Sequence, residues 1–494
     1  MIEKIFQLGK EAAIYGLSSV VGRFINFLLV PLYTNFLLPS EYGVIATLYS
    51  YIAFLFIVYG FGMEAAYMRF VSSLEIGDKK QNFSTPFVSL VLTSLLLSMV
   101  LYSSSRGLAS LIGISGEYHV LIQYAAGVLL FDALATIPFA FLRMENKAFT
   151  FASVRIINIL LNVACNVILI VGFGMKAEGI LLANLIASGF TFIILFRYIA
   201  QSFTWSISFP LYRELLKFGI PYIPAGLAGV AMQVIDRPIL KALTDDATVG
   251  IYQANYKLGI FMMLVVGMFD YAWRPFFLKH ASEEGAKALF SRVFTFFLAF
   301  LLGLFLVLSL FIGDIVQIHI SGKYLIHPDY WSGLGVVPWI LLAYVLNGAY
   351  ISFVIGVYLQ KQTKYLPYIT GAGAISNVAA NVVLIPMYGI MGAAIATLVC
   401  YAVIATSIYF TSRRFYEVQY EWSKIGRLVL VTAFLFGGYV LFGGPENRLA
   451  DTVLRVVISI VFVASLPALG IIEKNEVREV LLRLKAWRPQ QRAD

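Results

Sequence analysis

The chain has 494 residues, of which 60% are hydrophobic and 13% charged, with a formal net charge of +9 and a mean hydropathy of +0.83. Soluble domains carry roughly a quarter charged residues, so this composition excludes a soluble globular protein and predicts an all-α integral membrane protein with little mass outside the bilayer. The positive charge is expected to face an anionic leaflet, which removes any need for a nucleic-acid partner.

A helix crossing a hydrocarbon core of about 30 Å needs roughly 20 apolar residues. About fourteen stretches approach or exceed that length. Runs this long predict helices, since barrel strands are shorter and alternate. The first six fall at residues 12–34, 43–70, 84–106, 118–144, 149–172 and 177–198. A second six follow at 214–240, 248–273, 287–313, 330–359, 364–387 and 390–411, and a pair at 425–442 and 452–472. The predicted organisation is an N-lobe over 1–206 (helices 1–6), a C-lobe over 207–418 (helices 7–12), and a C-terminal unit over 419–494.

The first apolar run is too long for a signal peptide, contains Arg23 and lacks a small-residue cleavage pattern, so it is expected to remain as the first helix. In the tail, Val477, Val480, Leu481, Leu484 and Trp487 recur at helical spacing with Arg478, Arg483 and Lys485 between them, which predicts an amphipathic helix on the membrane surface. With an even helix count, about 26 lysines and arginines fall on the side of the termini and about 6 on the other. Cationic loops are retained in the cytoplasm, so both termini are expected there.

No G-x-x-x-x-G-K-[ST] motif occurs, which argues against a direct nucleotide motor. His119, His280, His319 and His327 lie apart on predicted loops, and Cys165 and Cys400 lie inside apolar spans. Neither set has metal-site or disulfide spacing, so no metal or cofactor is expected.

Overlaying the two six-helix blocks at an offset of about 207 to 215 residues reveals a repeat. Glu41-Tyr42-Gly43-Val44 aligns with Thr248-Val249-Gly250-Ile251, Glu64 falls near Asp270, and Asn162-Val163-Ala164-Cys165-Asn166 aligns with Asn377-Val378-Ala379-Ala380-Asn381. Even helix numbers per half imply parallel repeats about an axis normal to the membrane, an arrangement suited to alternating access.

Several stretches then carry a family resemblance. They are Gly22-Arg23 with Pro31-Leu32-Tyr33-Thr34 and Leu38-Pro39-Ser40-Glu41-Tyr42-Gly43, Asp236-Arg237-Pro238-Ile239-Leu240 with the segment from Val249 to Leu258, and the run from Asn377 to Thr397. The chain resembles the polysaccharide-type lipid flippases of the multidrug/oligosaccharidyl-lipid/polysaccharide exporter superfamily. That resemblance implies transfer of undecaprenyl-diphosphate-linked oligosaccharide, for O-antigen, capsule or exopolysaccharide synthesis, across the bacterial inner membrane. It also implies a lipid-facing groove for the polyprenyl tail, a functional monomer, and polysaccharide polymerase or other biosynthetic proteins as partners. No enzymatic step is implied, and H+ or Na+ is the coupling ion to consider.

A diphosphate-linked sugar needs a wet, cationic cavity, and charges inside a bilayer are costly and usually functional. Arg23, with Asn26 on the same helical face, is the first choice for the diphosphate, against the alternative of an arginine paired with an acid between helices. Lys257, sharing a face with Gln253, offers a second cation. Arg237 is expected at the outer end of the seventh helix, reaching water, with Asp236 as a gate or a boundary charge. Asp270, Arg274 and Glu64 fall near the cytoplasmic ends of their helices, where they read equally as gate or as local pairs; with Asp132 these carboxylates are the coupling candidates. The stripe Arg155, Asn158, Asn162 and Asn166 occupies one helical face and reads more readily as a packing seam than as a substrate track. Alternative functions are a cation-coupled exporter of small amphiphiles, a peptidoglycan-precursor flippase, or a membrane glycosyltransferase. The last lacks a large acidic outer loop, because Asp245-Asp246 reads as a helix cap.

Overall fold

The computed structural model describes residues 22, 24, 25, 27–320 and 322–472. Arg23, Asn26, most of the first span and the amphipathic tail lie outside the described residues. Among the described residues twelve helices are long and apolar enough to cross a membrane, and a bent pair makes a thirteenth. The first lobe contains α1 (Leu29–Phe36), α2 (Pro39–Gly60), α3 (Met63–Ser73), α4 (Lys79–Ser103), α5 (Ser105–Leu111), α6 (His119–Met144), α7 (Ala148–Val167) and α8 (Ala177–Ser202). The second contains α9 (Phe209–Gly219), α10 (Tyr222–Val234), α11 (Asp236–Leu243), α12 (Asp246–Tyr256), α13 (Ile260–His280), α14 (Ala286–Val316), α15 (Val337–Phe353), α16 (Ile355–Leu359), α17 (Leu366–Tyr388) and α18 (Ile390–Arg413). The pair α19 (Trp422–Phe442) and α20 (Arg448–Ala468) follows.

Two predicted spans are broken rather than straight. Between α2 and α3, Phe61 and Gly62 take φ of 27° and 73°, where glycine is tolerated and a bulky residue is strained. Between α9 and α10 the axis bends by about 40°, just where Pro221 removes a backbone donor. The two breaks touch, and a Cβ on Gly62 would lie 2.2 Å from the Gly219 carbonyl oxygen. Although α9 follows the boundary drawn at residue 206, its Leu211 and Leu215 are buried in a cluster with Met63, Phe83 and Ile137 of the first lobe.

The repeat reappears as a contact. The N-terminal ends of α2 and α12 meet through the aligned glycines: a Cβ on Gly43 would lie 1.7 Å from the Asp246 carbonyl oxygen, and one on Gly250 would lie 1.9 Å from that of Pro39. Glycine alone permits this approach. At the same end Tyr330 donates its hydroxyl to the Leu37 carbonyl at 2.9 Å, and Asn35 donates to the Tyr324 carbonyl at 2.7 Å. Tyr324 belongs to a short antiparallel pair, β1 (His319–Ile320) with β2 (Lys323–Tyr324), in the loop after α14. Asp245 caps α12 as expected, accepting from the Thr248 amide at 2.9 Å. This Pro39 end of the molecule is closed.

The pair α19–α20 rests on α14. Near one end, the buried Arg455 joins Asp314 and Asp451, the latter at 2.9 Å, and donates to the Leu310 carbonyl at 2.9 Å. Near the other, Glu421 accepts from Lys424 at 2.5 Å and faces Arg292 of α14 at 3.4 Å. Burial pushes the Glu421 carboxyl up, but hydrogen bonds from Lys424 and Thr295 and the charges of Arg292 and Lys424 outweigh it and hold it below its ordinary 4.5.

Replacing Gly250 by leucine should wedge the Pro39 end apart. A cysteine pair at Asn35 and Tyr324 should cross-link in the otherwise unmodified chain and lose most of that cross-linking in Gly250→Leu; an undiminished yield would show that the glycine contact does not hold the ends together. For Glu421, a carboxyl held low in the folded state stabilises above its unfolded pKa and loses that contribution as pH falls through the folded value. Thermal unfolding in detergent should therefore separate the unmodified chain from Glu421→Gln at pH 7, with the difference shrinking as pH falls below the ordinary 4.5; a pH-independent difference would contradict the ion-pair origin.

Candidate functional site

Beneath the closed end, between the two lobes, lies a cavity of about 770 Å³, within the range of small-molecule sites. One wall comes from the first lobe, with Tyr33 on α1, Tyr42 and Tyr49 on α2, Asn158 and Asn162 on α7, and Asn184 on α8. The other comes from the second lobe and includes Gln233 and Arg237 from α10 and α11, Gln253 and Tyr256 from α12, Lys257, and Tyr344 and Asn347 from α15.

Arg237 does not reach bulk water at the outer end of its helix, as its position in the sequence suggested. It is only 4% exposed, and its partner Asp236 3%, because the 40° break upstream turns α10 and α11 into the interface. The pair closes at 2.6 Å. Tyr252 donates to the second Asp236 oxygen at 2.5 Å, so both carboxylate oxygens are occupied. The Arg237 Nε donates to Gln253 at 3.0 Å, one terminal nitrogen donates to the Gln233 carbonyl at 2.6 Å, and the guanidinium lies 4.0 Å from the Tyr256 ring centre.

Lys257 sits where the eighth span tightens into a turn of 3-10 helix, Lys257–Gly259, between α12 and α13. Mid-span tightening of this kind often marks a functional hinge. Tyr344 crowds it, since a Cβ on Gly259 would lie 3.2 Å from that ring. Lys257 lines the cavity near enough to Arg237 to be repelled by it, and among the described residues it has no carboxylate partner. Arg237 and Lys257 are the charged residues among the described lining of the cavity. With Asp236 neutralising one of them, the wall has one positive charge that no carboxylate among the described residues compensates. Such a wall attracts an anion strongly, because a partly desolvated site screens charge far less than water does.

The amides of the opposite wall are tied into a chain. Asn166 donates to Asn162 at 3.1 Å, Asn162 to Asn184 at 3.1 Å, and Asn184 to the Tyr49 hydroxyl at 2.7 Å, while Asn158 donates to Thr191 at 2.8 Å. These bonds join α7, α8 and α2, as a packing seam would, yet Asn158, Asn162, Asn184 and Tyr49 also border the cavity. The spacing of three and four placed them on one face but carried no sign that this face was open.

The remaining candidates fall outside the cavity lining. Asp132 is bonded to Ser188 and lies near enough to Tyr49 to interact with it electrostatically, with Arg155 near enough to attract it and the Arg155 guanidinium 4.2 Å from the Phe139 ring centre. Glu64 pairs with Arg143 within the first lobe, and Asp270 with Arg274 at 2.8 Å within the second, so each pair stays in its own lobe. Arg23 and Asn26 lie outside the described residues.

Breaking a buried ion pair on one side costs about 3–5 kcal/mol, more than removing both partners. Asp236→Ala should therefore lower the unfolding temperature in detergent substantially, and the double change Asp236→Ala with Arg237→Ala should recover part of the loss; a double variant less stable than Asp236→Ala would refute the pairing.

Comparison with solved structures gives three informative likenesses. The lipid II flippase MurJ in an inward closed conformation matches with a TM-score of 0.72 and 17% identity, covering 94% of this chain and 100% of that one. An inward-facing multidrug resistance MATE family transporter of the MOP superfamily matches at 0.62 and 13%, covering 79% and 94% respectively. A mutant of the Vibrio cholerae MATE transporter VcmN matches at 0.56 and 15%, covering 83% and 96%. At these identities the likeness establishes the fold, that of multi-pass membrane transporters. No protein of curated function matches by sequence. A family model described as "Polysaccharide biosynthesis protein" matches residues 8–281, more than half of the chain. With that match over more than half of its length, the chain belongs to the polysaccharide biosynthesis protein family, and its fold is the one seen in the MurJ and MATE transporter structures.

Proposed function

We propose that the protein is a flippase for undecaprenyl-diphosphate-linked oligosaccharides, moving the repeat unit from the inner to the outer leaflet of the bacterial inner membrane for polysaccharide synthesis. The observation that carries this reading is Lys257, a cation without a carboxylate partner among the described residues, beside Arg237 in a polar cavity between two lobes of a membrane protein. An unpaired cation at such depth is costly unless a ligand compensates it. A diphosphate does so, and a planar guanidinium suits its oxygens.

An apolar recess of about 880 Å³ supports the same reading. It lies between α14 and α20, bordered by Phe300, Gly303 and Val307 on one side and Val456 and Ile460 on the other. Its lining suits a polyprenyl chain chemically. The family match also points to polysaccharide synthesis, and the name of the MurJ structure describes a lipid II flippase. A cationic small amphiphile is disfavoured, because Arg237 and Lys257 would repel it.

The excess of basic residues at the opposite end argues that the Pro39 end is outer and that both termini are cytoplasmic. The state described here then has its outer side closed, and transport proceeds by rocking the lobes apart at the glycine contact. Directional movement needs a ligand or ion with different affinities for the two states. Exchange of H+ or Na+ is the coupling we favour, with Asp132, close enough to the cavity-lining Tyr49 to interact electrostatically with it, as the carboxylate that would take part. One chain supplies both lobes, so a monomer suffices, with polymerase partners working on the product.

The test is outward movement of undecaprenyl-diphosphate oligosaccharide in proteoliposomes. Lys257→Ala and Arg23→Ala should each reduce the rate at least about tenfold with folding retained, the equivalent of roughly 1.4 kcal/mol of lost interaction. Imposing H+ and Na+ gradients in turn identifies the coupling ion. No transport by the unmodified chain, together with gradient-driven uptake of a small cationic dye, would overturn the proposal in favour of an exporter.

A further inference from the structure

We infer that the first-lobe wall of the cavity is a sugar subsite for uncharged hexoses and N-acetylhexosamines next to the diphosphate, formed by Asn158, Asn162, Asn184 and Tyr49. This inference rests on the flippase reading of the same cavity.

Three observations carry it. The first is the separation of charge: the described cations lie on the α11–α12 side, whereas the facing wall presents amides and a phenol. A ligand spanning the cavity is therefore anionic at one end and neutral and polar at the other. The second is that the neutral groups are held in place with bonding capacity to spare. The chain from Asn166 to Tyr49 leaves the Tyr49 hydroxyl proton free to donate, and Asn158, anchored through its amide nitrogen to Thr191, keeps its carbonyl oxygen as an acceptor. A fixed donor and a fixed acceptor suit hydroxyl and acetamido groups, which offer both.

The third is the contrast between the repeats. Gly373, Asn377 and Asn381 of α17 correspond to Asn158, Asn162 and Asn166 of α7. Asn377 and Asn381 are 1% and 0% exposed, and a Cβ on Gly373 would lie 2.4 Å from Ile404, so these three positions are closed by packing, although Thr370 one turn earlier borders the cavity. Asn166 and its counterpart Asn381 are both fully buried, so the difference lies at the first two positions: Asn158 and Asn162 border the cavity, whereas Gly373 and Asn377 do not. Packing accounts for the closed positions; the open ones have polar capacity that only a ligand or water meets. Tyr33, Tyr42, Tyr344 and Tyr401 add aromatic faces and hydroxyls around the same space. Neither carboxylates nor cations occur among the described residues of the amide wall.

The experiment uses the full chain in lipid nanodiscs and two probes: undecaprenyl diphosphate, and the same lipid carrying one N-acetylglucosamine. The sugar should increase affinity for the unmodified chain. Asn158→Ala and Asn162→Ala should each reduce that gain about three- to tenfold, the scale of one lost hydrogen bond, while the sugarless probe still binds. Asn377→Ala, a seam position, should lower thermal stability and keep the gain. Equal affinity of the unmodified chain for both probes, or equal weakening of both by the Asn158 and Asn162 variants, would overturn the subsite alone. Failure of the unmodified chain to bind either probe would instead overturn the flippase reading, and the subsite with it.

Discussion

The distance between the lobes is set where the carbonyls of Asp246 and Pro39 press against the bare Cα atoms of Gly43 and Gly250. Two helix ends approach so closely only because neither carries a side chain at the contact, and small residues let membrane helices pack by backbone contact where the hydrophobic effect cannot drive association. From this contact follow the bonds of Tyr330 and Asn35 across the same end, the burial of Tyr42, and the roof over the cavity. The repeat supplies one glycine to each lobe, so the closure is built symmetrically from an asymmetric chain.

Beneath that roof the symmetry ends. The second lobe concentrates charge, with Asp236 satisfied on both oxygens by Arg237 and Tyr252 and with Lys257 left over. The first lobe presents hydrogen-bonded amides on the corresponding surface. Desolvation makes an unpaired charge at this depth expensive, which gives an anionic ligand a large electrostatic advantage over a neutral one. The breaks at Phe61–Gly62 and Gly219–Pro221 serve the arrangement mechanically. They turn α11 into the interface and carry α9 onto the first lobe, so the chain crosses between lobes within a single span.

The spans were legible because hydrocarbon leaves a helix no alternative: every backbone donor must be satisfied within the segment, and about twenty apolar residues are the consequence. The repeat was legible through Gly43 and Gly250, although nothing in the alignment indicated that these two residues touch. Arg237 was misplaced because a straight seventh helix puts it at the membrane boundary, and the bend brings it inward. The asparagine stripe of α7 was recognised as one face, but in its near-copy on α17 the counterparts of Asn158 and Asn162 are closed by packing rather than bordering the cavity, so pattern alone could not assign its role. The pairing of Glu64 with Arg143, across a long stretch of chain, left no trace in local spacing.

The sequence by itself determined the solvent, the approximate limits of the described spans and the family, since hydrophobic length and local motif depend only on residues near one another in the chain. Tertiary structure decided which polar side chains face the cavity, which charges neutralise each other and which end is closed. Helical periodicity fixes a residue's face relative to its own axis and nothing more. The partner that face meets depends on where two helices break and on how closely two glycines allow the lobes to approach.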